Sequence, residues 1–228
     1  MFDRSVYKKN ARAQLRHRHT WPVLITLLSL LLSACMATPL LTSARTEIHT
    51  SYNALSGSLS LSLLAWVLSV SVNGILAVAN ASMYLQLLRA DRTADFNLFL
   101  SGLTSWLRAS AGALWFTLWT NLWGLLFIIP GIVKAISYSQ MFFLLAEYKS
   151  LSPAKAMRIS KILTQGHKTD LFVQGVSFLG WMLVGVCTCG IFWLWLLPYM
   201  QMTFANSYKA LKNEALASGR IFPADFAQ

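Results

Sequence analysis

The sequence predicts an all-α fold: a polytopic membrane bundle of six transmembrane helices, with interfacial amphipathic helices on its cytoplasmic side. Three observations carry that expectation. Charge is confined, because all but Arg45 and Lys134 of the nineteen Lys and Arg residues fall in four segments. Between these lie runs without Asp, Glu, Lys or Arg: Trp21 to Ala44, Ile48 to Leu88, Ala109 to Val133 and Leu171 to Tyr208. Each is long enough to cross a hydrocarbon core, which takes roughly 20 helical residues. Composition agrees, with 56% hydrophobic and 12% charged residues, about half the charged share usual in soluble domains. The last run is also too long for one crossing at about 1.5 Å per residue, so it divides in two.

The elements follow in order. Residues 1–20 form a basic N-terminus, residues 21–212 the transmembrane domain and residues 213–228 a tail. The first span, about 21–42, opens at Trp21-Pro22, an interfacial aromatic before a favourable first-turn proline. The second lies within 59–88. The third, 107–129, ends at Pro130-Gly131, read as a tight turn into the fourth, 132–148. The fifth and sixth, 171–187 and 191–208, are joined at Thr188-Cys189-Gly190, where glycine breaks the apolar pattern.

Orientation follows from the basic residues. The N-terminus, the loop with Arg89, Arg92 and Arg108, the loop from Lys149 to Lys168, and the tail all fall on one side of a six-span chain. Both termini are therefore expected in the cytoplasm. The net charge of +11 flanks apolar spans and forms no single patch, so the expected contact is anionic lipid headgroups and not nucleic acid.

Two loops read as helices lying against this face. In 94–107, Phe96, Phe99, Leu100, Leu103 and Leu107 recur at helical spacing, with Asp95 as N-cap. In 152–166, Ser152 caps, Pro153 takes the first position and Gly166 stops the helix. Its Lys155, Arg158 and Lys161 face away from Ala156, Ile159 and Leu163 and are candidate headgroup contacts. Membrane-interface placement and packing on the bundle's end are both open. A faint repeat at an offset of 68 pairs Leu103 with Leu171, Gly112 with Gly180 and Pro130 with Pro198, as two copies of one hairpin would.

Candidate chemistry is sparse. Ser62, Ser69, Asn73, Asn80 and Tyr84 fall on one stripe of the second span. Such groups avoid lipid, so they line either a polar path or an interhelical seam. Lys134 near the outer surface and Glu147 near the inner one are the ionisable groups at the membrane's edge, where function is a standing hypothesis. Trp115, Trp119 and Trp123 form one face of the third span and read as packing or lipid contact. His167 and Asp170 are too few for a metal. Leu32-Ser33-Ala34-Cys35 has the form of a lipoprotein cleavage site, but the apolar run continues past Cys35 and more spans follow. No phosphate loop, nucleophile elbow or paired-carboxylate pattern occurs. The chain is expected to be no enzyme and to need no cofactor or metal.

At Ile129-Pro130-Gly131-Ile132-Val133-Lys134-Ala135-Ile136-Ser137-Tyr138-Ser139 the chain resembles the bacterial integral-membrane family called domain of unknown function 975. The similarity continues through Leu145-Ala146-Glu147, Gly166-His167-Lys168, Phe178-Leu179-Gly180-Trp181 and Pro198-Tyr199, with Arg4-Ser5 and Ala11-Arg12 similar to its opening. Cys187-Thr188-Cys189 departs from the apolar-glycine turn of that pattern and leaves the role of Cys187 and Cys189 open. The resemblance implies a six-helix protein of the bacterial inner membrane and no reaction. The expectation is a non-catalytic membrane interaction protein that engages lipid or a membrane protein partner. The alternative is a small transporter whose polar path follows the second span.

Overall fold

The computed structural model describes residues 4–16, 20–46, 55–89, 96–188 and 190–226. Among the described residues every regular element is helical: α1 (Arg4–Leu15), α2 (Thr20–Thr46), α3 (Leu55–Arg89), α4 (Phe96–Leu103), α5 (Trp106–Leu126), α6 (Ile128–Tyr138), α7 (Met141–Glu147), α8 (Pro153–Leu163), α9 (Lys168–Val176), α10 (Leu179–Cys187) and α11 (Trp193–Ala217), then a 3-10 turn at Pro223–Phe226.

Helix α3 is the axis. Its Val78, Ala79, Met83 and Tyr84 are buried in one core with Met141, Leu144 and Leu145 of α7 and Met202, Ala205 and Tyr208 of α11. Close approach is built in, because a Cβ on Gly74 would overlap the side chain of Ala113 on α5. Small residues at such a crossing let helix backbones meet, which drives association where lipid removes the hydrophobic incentive.

Among the described residues three stretches are long and apolar enough to cross a membrane: Leu63–Arg89, Ile129–Glu147 and Lys168–Cys187. This corrects the expectation of six such helices. The described side chains of the first span form a shorter apolar helix, Thr20–Ala34. Helix α5 dilutes its leucines with Thr117, Thr120 and Asn121, and α11 carries Gln201, Asn206 and Lys209 along its length.

Several boundaries also move. The turn expected at Pro130-Gly131 falls at Phe127, whose extended backbone (φ −158°, ψ 139°) ends α5 and starts α6. Pro130 then sits in the first turn of α6, where a missing N–H costs nothing because no helical acceptor exists. The fourth span is interrupted at Ser139-Gln140, where the Ser139 N–H bonds the carbonyl of Ile136 in a tightened turn. The stretch from Lys168 to Cys187 is interrupted likewise at Ser177-Phe178. The offset of 68 would place the α6–α7 interruption on unbroken α11, and the α9–α10 interruption on unbroken α5. The hairpins are therefore not matching copies. The Thr188-to-Gly190 turn forms as expected, with Gly190 at φ 87° donating to the Gly185 carbonyl at 2.8 Å.

Candidate functional site

The charged groups that the sequence scatters over loops and tail meet at one end of the bundle. Glu147 closes α7, at a helix C-terminus, where an anion is disfavoured. Its side chain is 6% exposed. Cations from two other helices offset this. Lys212 of α11 lies 2.7 Å from Oε1, and Arg89, the last residue of α3, pairs with the same oxygen. The Tyr208 hydroxyl donates to Oε2. Lys212 also sits 4.8 Å from the ring centroid of Tyr148 and 5.5 Å from that of Phe226. Those two rings stack at 4.4 Å, so the chain's last turn closes over the pair. Glu147 is thus a tie between α3, α7 and α11.

Two further ties share this end. Arg108, at the start of α5, donates to the carbonyls of Tyr148 at 2.9 Å and Leu151 at 3.1 Å, satisfying acceptors that the end of α7 leaves open. His167 precedes α9. Its Nδ1 lies 3.2 Å from Asp170 and its Nε2 2.8 Å from Glu214 of α11, which Arg220 also pairs at 3.1 Å. The hydrogen bond from His167, and after it the charges of His167 and Arg220, hold the Glu214 carboxyl below its ordinary value. The sequence shows the His167–Asp170 spacing. Glu214, 47 residues away, needs the fold.

Helix α8 begins as expected: the Lys155 N–H donates to Ser152 Oγ at 3.4 Å, Pro153 follows, and Gly166 (φ 90°) lies beyond its end. Its Ala156, Met157, Ile159 and Leu163 are buried in the bundle, and Ser160 Oγ donates to the Ser137 carbonyl at 2.8 Å. Packing, not the membrane interface, takes its apolar face. Arg158 and Lys161 stay exposed, with Lys155 half-buried. In α4, Phe99 is buried and Leu100 exposed; Asp95 lies outside the described residues.

The stripe on α3 divides. Asn73 accepts from Ser33 at 2.7 Å, and its own amide returns to the Ser69 carbonyl at 2.8 Å. Asn80 donates to Ser29 at 3.2 Å. The partners lie one turn apart on α2. The Asn80 Oδ1 and the Tyr84 hydroxyl are buried with no hydrogen-bond partner among the described residues. The side chain of Ser62 lies outside those residues. The stripe is mainly a seam between α2 and α3.

Lys134 stacks over Trp123 at 4.4 Å. Trp115 meets Trp119 edge to face at 5.9 Å, so the tryptophan row packs on itself and on a cation. Cys187 is a free, exposed thiol; Cys189 and the Cys35 side chain lie outside the described residues. Among the described residues no group of three His, Cys, Asp or Glu is placed to hold a metal ion.

These ties define a helical, membrane-type bundle with a charged end. The model of the family "Protein of unknown function (DUF975)" matches residues 113–215, and over that stretch the chain is similar to the family. The matched residues run from within α5 almost to the end of α11 and take in Glu147, His167 and Glu214. The N-terminal similarities at Arg4-Ser5 and Ala11-Arg12 lie outside the match. No curated protein and no solved structure matches the chain.

Proposed function

We propose that the chain is a non-catalytic protein of the bacterial inner membrane, crossing six times with both termini cytoplasmic, which engages anionic lipid through its basic end. The observation that carries this reading is the convergence of Arg89, Arg108 and Lys212 from three separate segments at Glu147 and Tyr148, with Arg158 and Lys161 exposed on the adjoining α8. Glu147 is already engaged by three donors, so the outer cations face the headgroup region. Length supports crossings beyond those three stretches: α2 has 27 residues, α5 has 21 and α11 has 25. Phosphatidylglycerol should raise the thermal midpoint of the detergent-purified protein more than phosphatidylcholine does. Added salt should shrink the difference, since exposed charges are screened beyond about 8 Å at physiological ionic strength. Replacing Lys155, Arg158 and Lys161 by Gln should reduce it; equal midpoints in the two lipids would reject the reading.

A transporter is the second reading, and one observation favours it. The α6–α7 interruption borders a 220 Å³ cavity lined by Ala77, Ala81, Ser139, Gln140 and Gln201. The Oε1 of Gln140 is buried without a hydrogen-bond partner among the described residues. Interrupted helices beside polar side chains are a common way to build a solute site. Saturable solute uptake into proteoliposomes, abolished by Gln140→Leu, would promote this reading over the first.

A further inference from the structure

Two cavities of opposite character meet at the interruption of the fourth span. Helix α6 ends at Tyr138 and α7 starts at Met141, so Ser139 and Gln140 belong to neither. Gln140 is 1% exposed. Its Nε2 donates to Ser139 Oγ at 2.9 Å, while its Oε1 is buried with no donor among the described residues. A buried acceptor in that state is destabilising until something donates to it. Gln140 lines the 220 Å³ cavity together with Ala77 and Ala81 of α3 and Gln201 and Phe204 of α11. None of the residues lining it is ionisable.

A second cavity, of about 420 Å³, shares Ser139 and Phe204 with the first as a common wall. Apart from Ser139 its lining is apolar, with Ala135 and Ile136 facing Leu171, Phe172, Val176 and Leu179. Phe172, Val176 and Leu179 are exposed, so in a membrane this groove opens to the acyl chains. Gln140 stands seven residues before Glu147 and Ala81 eight before Arg89, about 10 to 12 Å along a helix from the charged end. In the proposed arrangement both therefore lie beneath the cytoplasmic headgroups, inside a hydrocarbon core of roughly 30 Å. A charged ligand group is costly at that depth, and bulk water is absent. A small soluble solute would satisfy Gln140 and leave the groove empty. A hydrocarbon would fill the groove and leave Gln140 without a donor. A neutral single-chain alcohol does both.

We propose that the two cavities together seat one neutral single-chain alcohol drawn from the membrane. Its hydroxyl donates to Gln140 Oε1, and its chain passes between Ser139 and Phe204 into the groove. The proposal rests on the transporter reading for its polar chamber, names the class of ligand, and is independent of the basic end. The test is photolabelling of the purified full chain with octanol carrying a diazirine, read by peptide mass spectrometry. Saturable adducts should fall on Gln140 to Phe143 and on Leu171 to Leu179. Unlabelled octanol should compete about tenfold better than heptyl methyl ether, which matches it in size but has no hydrogen to donate. Gln140→Leu should lower the labelling by a similar factor, and Gln140→Glu, which keeps an acceptor oxygen, should retain it. Equal competition by the ether, which needs no variant to fold, overturns the seat. So does full labelling in a Gln140→Leu protein that keeps its thermal midpoint. Unsaturable adducts spread over the lipid-facing helices would mark bulk partitioning and overturn it as well. Butanol competing as well as octanol would mark a soluble-alcohol site and overturn the chain in the groove. Labelling without solute uptake would keep this seat and reject the transporter; uptake abolished by Gln140→Leu, without labelling, would do the reverse.

Discussion

Glu147 shows how one side chain ties helices that the sequence keeps far apart. Removing its charge leaves Lys212, whose side chain is 16% exposed, without its counter-ion, whereas Arg89, at 57%, can turn to water. Breaking a buried pair from one side costs about 3–5 kcal/mol, and the exposure of Arg89 puts Glu147→Gln at the low end, about 3 kcal/mol. Tyr208→Phe removes one hydrogen bond to that carboxylate and should cost about 1.5 kcal/mol. Thermal or denaturant unfolding in detergent would check the order; equal losses would mean that the charge carries nothing beyond the hydrogen bond. Asn80 behaves differently. Its bond to Ser29 is worth about 0.6 kcal/mol, but Asn80→Leu also removes a buried oxygen that has no partner among the described residues. The two effects offset, so the change should stay within about 1 kcal/mol. With Cys187 replaced by Ser, a cysteine at position 80 should label slowly with an aqueous thiol reagent. Fast labelling would turn the seam into a water-lined path.

Among the elements, α9 is pinned to α11 through His167 and Glu214, and this joint should respond to acid. The Glu214 carboxyl is depressed in the fold, so its contribution is present above the ordinary carboxylate value of 4.5 and is lost as pH falls through the lower folded value. The midpoint difference between wild type and Glu214→Gln should therefore be constant at neutral pH and shrink below pH 4.5. A difference that grows on acidification would contradict the pairing. The α8 boundaries were readable because its cap, first-turn proline and terminal glycine are local chemistry. What its apolar face covers was not readable. An amphipathic pattern says that one side is buried but not whether lipid or protein buries it, and here Ser160 reaching the Ser137 carbonyl decides for protein. The interruption at Ser139-Gln140 was equally hidden, because no proline or glycine stands at either position.

For the whole molecule, the proposed six-crossing arrangement would put the basic loops and the tail on one face. Reporter fusions after Arg92, Ser160 and Gln228 should read cytoplasmic and one near Thr50 periplasmic; an external signal at Ser160 would rule that arrangement out. The meeting of Arg89, Arg108, Glu147 and Lys212 at one end agrees with the clustering in the sequence. The sequence by itself determined the helical class, the charged segments and the start of α8, since each follows from periodicity, caps and charge within a few residues. Only the tertiary structure decided that Ser29 and Ser33 face Asn80 and Asn73, that Glu214 meets His167, and that Lys8 and Arg12 rest against the rings of Phe178 and Tyr199. These are meetings between helices tens to nearly two hundred residues apart. No local pattern specifies which polar side chain, among several of equal chemistry, a neighbouring helix will present.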